Sequence, residues 1–350
     1  MIGYVGTKAK APTGPVASGE PLWSTTEGRE GLEVSFDAQL QGRPGSINFL
    51  FDANGVKLAE EMITRPVPGN NVITTLDAEM QELAEDCLSR YTKRGAFVIM
   101  DVRTGDIYAM ASRPTYNLKT WIPSISTEQF TALQEDPDLP LFPRAFRGQY
   151  PPASTFKVAV ALAALESGVV DSDSWINCQN AISIGKEVFR NWNKKGEGSL
   201  DVVGAIRRSC NTWFYQVGLR TGGENVSSMA RRLGFGSVTG IPLNAEEDGF
   251  MPSDAEHRKR FGVAFSHGYL AHASIGQGSV LSTPLQVAQM MAGIGNGFAV
   301  PKPRLVMQVQ DLNNNIIEAF EPVERNALNL NPGHLGLVRQ GMVDVVQSPS

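Results

Sequence analysis

Ser154 and Lys157 are the residues whose types and spacing best support chemistry in this sequence. They lie in Tyr150-Pro-Pro-Ala-Ser-Thr-Phe-Lys157, where the prolines keep the approach extended and an apolar run through Leu165 predicts a buried helix that stops at Gly168. Three residues apart at the start of a helix, the two side chains share one face. Burial lowers the pKa of a lysine, so we expect a neutral Lys157 to accept the proton of a Ser154 nucleophile.

The Ser-x-x-Lys spacing also has a purely structural interpretation. Ser154 would then cap the helix, and Lys157 would extend its amine along the helix to the surface. A second match, Ser183-Ile-Gly-Lys186, lies in a polar stretch with no buried helix behind it, and we expect it to be coincidental. The choice between the two interpretations depends on the rest of the chain.

Composition narrows the classes of protein. With 350 residues and 42% hydrophobic content, the chain can form one large domain plus a smaller piece. A formal charge of -5, without a run of Lys or Arg, argues against nucleic acid or an anionic membrane surface as the main partner. No uncharged apolar stretch approaches a membrane span and residues 1–20 lack a signal-peptide pattern, so the sequence as given predicts a soluble chain.

Cysteines and histidines form no recognisable metal or disulfide pattern. The cysteines are Cys87, Cys178 and Cys210, and the histidines are His257, His267, His272 and His334. The cysteines are too scattered for a disulfide framework and are expected to be small buried side chains. The histidines show neither HxxxH nor HExxH spacing. We therefore expect no metal ion and no cofactor.

The elements that must position Ser154 follow from the chain in order. Apolar spacing over residues 28–40 predicts a short amphipathic helix, and residues 46–74 predict strands around the turn Asp52-Ala-Asn-Gly55. A domain boundary is expected near residues 66–71. A helix over residues 78–92 follows, with Asp77 as its cap. Its predicted buried stripe is Met80, Leu83, Ala84, Cys87 and Leu88.

The strand over residues 96–102 is nearly continuously apolar, which predicts burial on both faces and a central place in its sheet. A turn and residues 107–111 complete a hairpin. Residues 113–150 predict an irregular approach to the serine helix, and residues 172–199 a polar loop. A helix over residues 200–206 is directed at Ser209-Cys-Asn211.

The remaining predicted elements lie in the last third of the chain. They are a helix within Trp213–Val217, a helix over 224–233, a helix from Pro284 capped by Thr283, a hairpin around Asn313–Asn315 and a helix over 332–347. Trp213, Phe214 and Tyr215 suit either a groove or the core, and core packing is the expectation.

The order of motifs resembles the class B penicillin-binding proteins, most closely the type that serves cell-wall elongation. The motifs that carry the resemblance are Gly28-x-x-Gly31-Leu-Glu, Thr74-Thr-Leu-Asp77, Asp101-Val-Arg-Thr-Gly105, Tyr150 to Lys157, Ser209-Cys-Asn211 and Ser274-Ile-Gly-Gln-Gly278 with Thr283-Pro-Leu-Gln286. Ala153 stands where the family usually has glycine. Six motifs in family order are far more specific than any one of them.

The resemblance implies an α+β penicillin-binding transpeptidase fold, in which helices flank an antiparallel sheet beside a helical subdomain. Residues 1–70 would be part of an N-terminal pedestal domain and residues 71–350 the transpeptidase domain. Ser154 would be the nucleophile, Lys157 the base, Ser209 a proton relay, and Asn211 a hydrogen-bonding partner of the substrate backbone. The Ser154 N–H would be one of two oxyanion donors.

The implied reaction is acyl transfer from a D-Ala-D-Ala peptidoglycan stem peptide to an amine acceptor, inhibited by beta-lactams. The implied partners are stem peptides, a membrane glycosyltransferase and cell-wall elongation proteins, with no nucleic acid. The implied location is the periplasmic face of the inner membrane, held through an N-terminal helix outside this chain. Two alternatives stay open: a non-catalytic cell-wall scaffold, and a beta-lactamase or beta-lactam sensor.

The sequence departs from the family in one respect, because it contains no Lys-Thr/Ser-Gly motif. Arg103-Thr-Gly105 and Arg220-Thr-Gly222 resemble that motif, but both are expected in loops. Strand 96–102 also needs neighbours on both sides. We therefore expect the chain to lack C-terminal strands and an N-terminal membrane helix. If it is complete, we expect a weak or inactive catalyst, since a lost oxyanion donor costs on the order of a hundredfold.

Overall fold

A computed structural model describes residues 1–11, 19–122 and 124–347. Its helices are α1 (Gly31–Ser35), α2 (Asp37–Leu40), α3 (Ala78–Tyr91), α4 (Thr127–Glu135), α5 (Arg144–Arg147), α6 (Lys157–Glu166), α7 (Val202–Arg207), α8 (Asn211–Thr221), α9 (Gly223–Arg232), α10 (Asp254–Phe261), α11 (His267–Ala273), α12 (Pro284–Asn296) and α13 (Pro332–Gln347). Short 3-10 helices cover Leu118–Trp121 and Ala153–Phe156.

The strands form small antiparallel ladders. They are β1 (Val5–Ala9), β2 (Thr25–Gly28), β3 (Ser46–Phe51), β4 (Lys57–Thr64), β5 (Asn71–Thr74), β6 (Gly95–Met100), β7 (Ile107–Arg113), β8 (Ile176–Cys178), β9 (Ala181–Ile184), β10 (Glu187–Arg190), β11 (Gly198–Leu200), β12 (Ala299–Pro301), β13 (Val306–Gln310), β14 (Ile316–Ala319) and β15 (Glu324–Ala327). β13 pairs with both β14 and β5, so the chain's last quarter is tied to its first.

Helix α6 lies at the centre of the largest core. All of its residues from Lys157 to Leu165 are buried, because nearly every side chain in that run is apolar and the helix needs cover on all sides. Helices α8, α9 and α13 contact it. Gly168 follows with φ +70°, a left-handed conformation that ends the segment, as the sequence predicts.

Helix α3 is capped as predicted but buries less than its sequence suggests. Asp77 accepts a hydrogen bond from the Met80 N–H at 2.9 Å. Ala84 and Leu88 are buried, whereas Met80 and Leu83 are 40% and 62% exposed. Helix α3 packs on β7 and β6 through one narrow face, so these strands bury only the middle of the predicted apolar stripe.

The strand predicted to be buried on both faces is only partly buried. β6 pairs with β7 along one edge, and Phe97 is 38% exposed. Within the described ranges β6 has no second strand neighbour, which explains why its apolar residues are not fully covered. The more buried strand of the hairpin is β7, with Ile107 and Ala109 fully buried.

Residues 28–40 form two short helices rather than the single predicted one. The helix is interrupted at Phe36, whose φ of -117° and ψ of 22° lie outside the helical region. Phe36 is buried and packs edge-on against Phe320. Its burial against a strand region far along the chain outweighs continuation of one helix.

Several elements lie where the sequence predicts loop. The polar stretch 172–199 contains β8 to β11, whose three- and four-residue lengths are too short for a clear alternation. Helix α4, inside the stretch predicted to be irregular, begins with a capping box between Ser126 and Gln129. Helix α10, for which no element was predicted, begins with one between Ser253 and Glu256. These Ser-x-x-Gln and Ser-x-x-Glu signatures were available in the sequence.

No helix within residues 1–11, 19–122 and 124–347 combines the length and the apolar content needed to cross a membrane.

The hairpin of β3 and β4 is predicted correctly around its Asn-Gly turn, and Asp52 Oδ1 accepts hydrogen bonds from the Asn54 and Val56 N–H groups at 2.8 Å.

Candidate active site

The loop before α6 presents Ser154 at the surface through a strained turn. Residues Ala153–Phe156 form a 3-10 turn that leads directly into α6, and Ser154 is exposed. Ala153 has φ +51°, a conformation that L residues with a side chain rarely adopt and that costs about 1 kcal/mol. Backbone strain of this kind persists only where the surroundings impose it.

The segment Ser274-Ile-Gly276-Gln-Gly278 imposes this conformation. The Ala153 N–H donates to the Gly276 carbonyl at 2.8 Å. A side chain on Gly276 would lie 2.7 Å from the Phe156 Cβ, closer than real contacts allow, so this approach requires glycine. Tyr150 and Ser282 exchange backbone hydrogen bonds at 2.8 and 2.9 Å on the other side of the loop.

Helix α7 delivers Ser209 through its C-terminal cap. The Cys210 N–H donates to the Ala205 carbonyl and the Ser209 N–H to the Ile206 carbonyl, both at 3.0 Å. This is the Schellman pattern, whose left-handed position usually holds glycine. Ser209 occupies that position with φ +47°. A hydroxyl therefore stands where local stability favours no side chain, which is typical of a functional position.

The four predicted site residues form one hydrogen-bonded chain. The Ser209 hydroxyl donates to Ser154 Oγ at 3.0 Å. The Lys157 amine lies 2.9 Å from Ser209 Oγ, 2.8 Å from the Ser209 carbonyl and 2.6 Å from Asn211 Oδ1. Ser209 thus bridges Ser154 and Lys157, whereas the sequence alone predicts their direct contact.

Lys157 does not extend to the surface, because its side chain is 2% exposed. This excludes the interpretation in which Lys157 carries its amine into solvent. Burial lowers the pKa of Lys157 to about 8, and negative charge on the nearby Cys210 sulfur opposes this shift. The Phe214 ring, 5.5 Å from Nζ, adds a favourable cation–π contact to the protonated form. A substantial neutral fraction at mildly alkaline pH follows.

The cysteines and aromatic residues near the site pack as predicted, with one exception. Cys178 and Cys210 are fully buried and share a hydrogen bond that raises the pKa of Cys178 and lowers that of Cys210. Cys87 is only partly buried, contrary to the prediction. Trp213 and Phe214 are fully buried, which assigns them to the core.

Two of the three further sequence matches to the catalytic motifs lie in turns, as expected, whereas Ser183 of the third lies in a strand where a loop was predicted. Gly105 is in the turn between β6 and β7, and Gly222 caps the C-terminus of α8, each with positive φ. Ser183 lies in β9, and Lys186 is exposed in the turn that follows it. None of these residues touches the hydrogen-bonded chain of Ser154.

Comparison with known proteins decides the family. The penicillin-binding protein transpeptidase domain matches residues 95–350, and the penicillin-binding protein dimerisation domain matches residues 1–74. The chain belongs to the penicillin-binding protein transpeptidase family. These matches and the relatives described next confirm the prediction of a class B, elongation-type penicillin-binding protein with an α+β transpeptidase fold.

Relatives of this penicillin-binding protein chain are longer than the chain. Peptidoglycan D,D-transpeptidase MrdA of Salmonella typhimurium is 32% identical over 92% of this chain and 52% of its own length. PBP2 of Pseudomonas aeruginosa in complex with WCK 5153 superposes with a TM-score of 0.78 at 30% identity, over 99% of this chain and 72% of that one. The chain spans about half the length of the curated relatives it matches.

A further structural relative is PBP2 of Helicobacter pylori in a complex with MreC. It has a TM-score of 0.80 at 30% identity and spans 99% of this chain and 62% of that one. Both structural similarities extend over 99% of this chain.

Sequence analysis missed two features of this site in the penicillin-binding protein chain. The supporting role of Gly276 appears only in the fold, although its motif was noticed. Asn191, whose Oδ1 accepts the Asn211 N–H at 2.8 Å, had no sequence signal because it lies in a stretch interpreted as loop.

Proposed function

We propose that this chain carries the acyl-transfer site of a peptidoglycan D,D-transpeptidase, with Ser154 as the nucleophile. The observation that carries the proposal is the hydrogen-bonded chain from Ser154 through Ser209 to a buried lysine. Nucleophilic serines need an adjacent base, and a desolvated amine with a pKa near 8 is such a base. The names of the curated relatives support the substrate class.

In the first step Ser154 Oγ attacks the carbonyl carbon of the penultimate D-Ala. Its proton passes to Ser209 Oγ, whose own proton passes to neutral Lys157, because hydroxyl hydrogens rotate to suit their partners. A tetrahedral intermediate forms, with its negative oxygen facing backbone N–H donors. The C–N bond to the terminal D-Ala then breaks, and the leaving nitrogen takes a proton back from Lys157 through Ser209.

In the second step an amine of a neighbouring stem peptide attacks the acyl-enzyme carbonyl. The amine's proton returns through Ser209 and Lys157 to Ser154 Oγ as the ester bond breaks, so every proton and bond balances. Asn211 keeps Lys157 in place at 2.6 Å. One hydrogen of its Nδ2 points to the Arg190 carbonyl, and we infer that the other donates to the substrate backbone. Without an acceptor amine, water completes the same cycle as hydrolysis.

A non-catalytic cell-wall scaffold of the same fold is the second candidate. The intact arrangement of Ser154, Ser209 and Lys157 favours catalysis. A beta-lactamase or sensor of the same fold would differ in the lifetime of its acyl-enzyme.

Partners and location are part of the same proposal. The PBP2 of Helicobacter pylori binds MreC, which supports cell-wall elongation proteins as partners here. We infer stem peptides and beta-lactams as ligands and a membrane glycosyltransferase as a further partner, at the periplasmic face of the inner membrane. A pedestal part over residues 1–70 and a transpeptidase part over residues 71–350 complete the proposal.

Intact mass after incubation with penicillin G tests the proposal. The wild-type chain should gain the mass of one penicillin, and Ser154→Ala should gain none. Ser183→Ala is the matched control, because Ser183 belongs to the second Ser-x-x-Lys match, and it should label like wild type. Rapid loss of the adduct would indicate a beta-lactamase. No adduct on the folded wild-type chain would favour the scaffold.

A further inference from the structure

A buried amide lies behind the candidate active site, at the junction of the β9–β10 hairpin and α8. Asn191 follows β10 and is 7% exposed. Its backbone N–H donates to the Asn180 carbonyl at 2.8 Å, and its Oδ1 accepts the Asn211 N–H at 2.8 Å. Asn211 is the first residue of α8, so Asn191 satisfies one of the helix's unpaired N–H groups.

Asn191 is linked to Lys157, the candidate base, through Asn211 alone. Asn211 accepts from Lys157 Nζ at 2.6 Å through its side chain while its backbone is held by Asn191. The Asn211 Nδ2 donates to the Arg190 carbonyl at 3.5 Å, from the end of β10. The position of the Asn211 side chain against Lys157 therefore depends on residues 190 and 191.

The Nδ2 group of the Asn191 side chain contributes no hydrogen bond to stability among the described residues. Its Nδ2 is buried and has no hydrogen-bond acceptor among the described residues. An aspartate in its place would keep the acceptor, would leave no buried donor, and would gain from the positive N-terminus of α8. These gains would offset part of the desolvation cost of a buried carboxylate. The amide differs from that carboxylate in carrying no charge.

We propose that Asn191 is a positioning residue that holds Asn211 against Lys157 through an uncharged acceptor. A carboxylate at this place would be separated from the lysine amine only by Asn211, and its negative charge would favour the charged form of Lys157. The amide holds the same geometry without that charge. The inference concerns Lys157 directly and rests on the proposed function only for its catalytic consequence.

Other groups around Lys157 must be considered before a change is assigned to Asn191. The polar and titratable groups that face or adjoin it are Ser154, Ser209, Cys210, Cys178 behind Cys210, and the ion pair of Glu197 with Arg208 at 2.9 Å. Cys210 needs a control first, because negative charge on its sulfur favours the charged form of Lys157. Cys210→Ala removes it without touching the Asn191 contact.

The first experiment measures the pKa of Lys157 by NMR in protein labelled with carbon-13 lysine, with its signal assigned by its loss in Lys157→Met. Asn191→Asp should raise this pKa by about one pH unit. Asn180→Asp, which adds the same charge at an exposed neighbouring position, should change it by less than about 0.2, because water screens it. Cys210→Ala should leave the effect of Asn191→Asp intact.

The second experiment measures penicillin acylation rates against pH. Asn191→Asp should be about tenfold slower than wild type at pH 7 and should recover the wild-type rate above its raised pKa. Asn191→Ala, which lacks the acceptor, should stay slower at every pH. A merely structural role would slow both variants alike and leave the pH profile unshifted.

The outcomes separate this inference from the proposed function. A raised Lys157 pKa in Asn191→Asp, with no acylation of any variant or of the wild type, would support this inference and contradict the proposed transpeptidase activity. An unchanged Lys157 pKa in the folded variant would overturn the inference whatever the acylation result. Unfolding midpoints are measured first. Loss of the fold in Asn191→Asp would contradict the claim that an acceptor at this place suffices.

Discussion

Replacing Lys157 by methionine should remove a pH dependence of stability that the wild-type protein carries on the alkaline side of neutrality. The folded pKa of Lys157 is about 8, below the ordinary 10.5, because burial disfavours the charged amine. Between those values the unfolded chain binds more protons than the folded one, so stability rises with pH. Below pH 8 Lys157 is protonated in both the folded and the unfolded chain, so the full cost of burying its charged amine destabilises the fold.

The gap between the two pKa values corresponds to about 3 kcal/mol of destabilisation at neutral pH. Integrated from pH 7 to pH 10, the wild-type protein should gain about 2.5 kcal/mol relative to Lys157→Met. At pH 7 the variant avoids the penalty but loses hydrogen bonds to Ser209 and Asn211, each worth about 1 kcal/mol. The two proteins should therefore differ little at pH 7 and diverge above it.

Urea unfolding at several pH values between 7 and 10 measures the divergence, and differences between the two proteins cancel the titration of groups they share. Lys186→Met is the control, since Lys186 is exposed and its removal should leave the pH dependence unchanged. A constant difference between wild type and Lys157→Met across this range would refute the conclusion that Lys157 is a desolvated amine.

Three further predictions concern backbone, packing and charge. Ser209→Gly should raise stability by about 1 kcal/mol in urea unfolding while abolishing the relay, because φ +47° favours glycine; lower stability than Ser209→Ala would contradict this. Gly218→Ala should cost about 1–3 kcal/mol, because the new Cβ would lie 2.6 Å from the buried Ser274 Cβ, and Ser274→Gly should restore stability. Arg304→Met should lower the free energy of unfolding by about 3–5 kcal/mol, because it leaves the buried Asp106 carboxylate unpaired. Adding Asp106→Leu should recover most of that loss, and a single variant as stable as wild type would contradict the prediction.

Much of the fold was predictable from short stretches of sequence. Helix α13 has the predicted bounds, and α12 begins at Pro284 with Thr283 as its cap, because caps and apolar spacing act over a few residues. The short strands β8 to β11 were not predictable, since three or four residues carry too little periodicity and each strand depends on its partner. The break at Phe36 was likewise decided by a distant packing partner.

The sequence by itself determined that a buried helix directly follows Ser154 and contains Lys157, and that the family motifs occur in order. Only the tertiary structure decided that Ser209, 52 residues from Lys157 in sequence, lies between the two, and that Asn191 supports Asn211 from 20 residues away. The reason is physical. Helix formation depends on neighbours within a turn, whereas the approach of distant side chains and the desolvation that lowers the pKa of Lys157 depend on how every surrounding element packs.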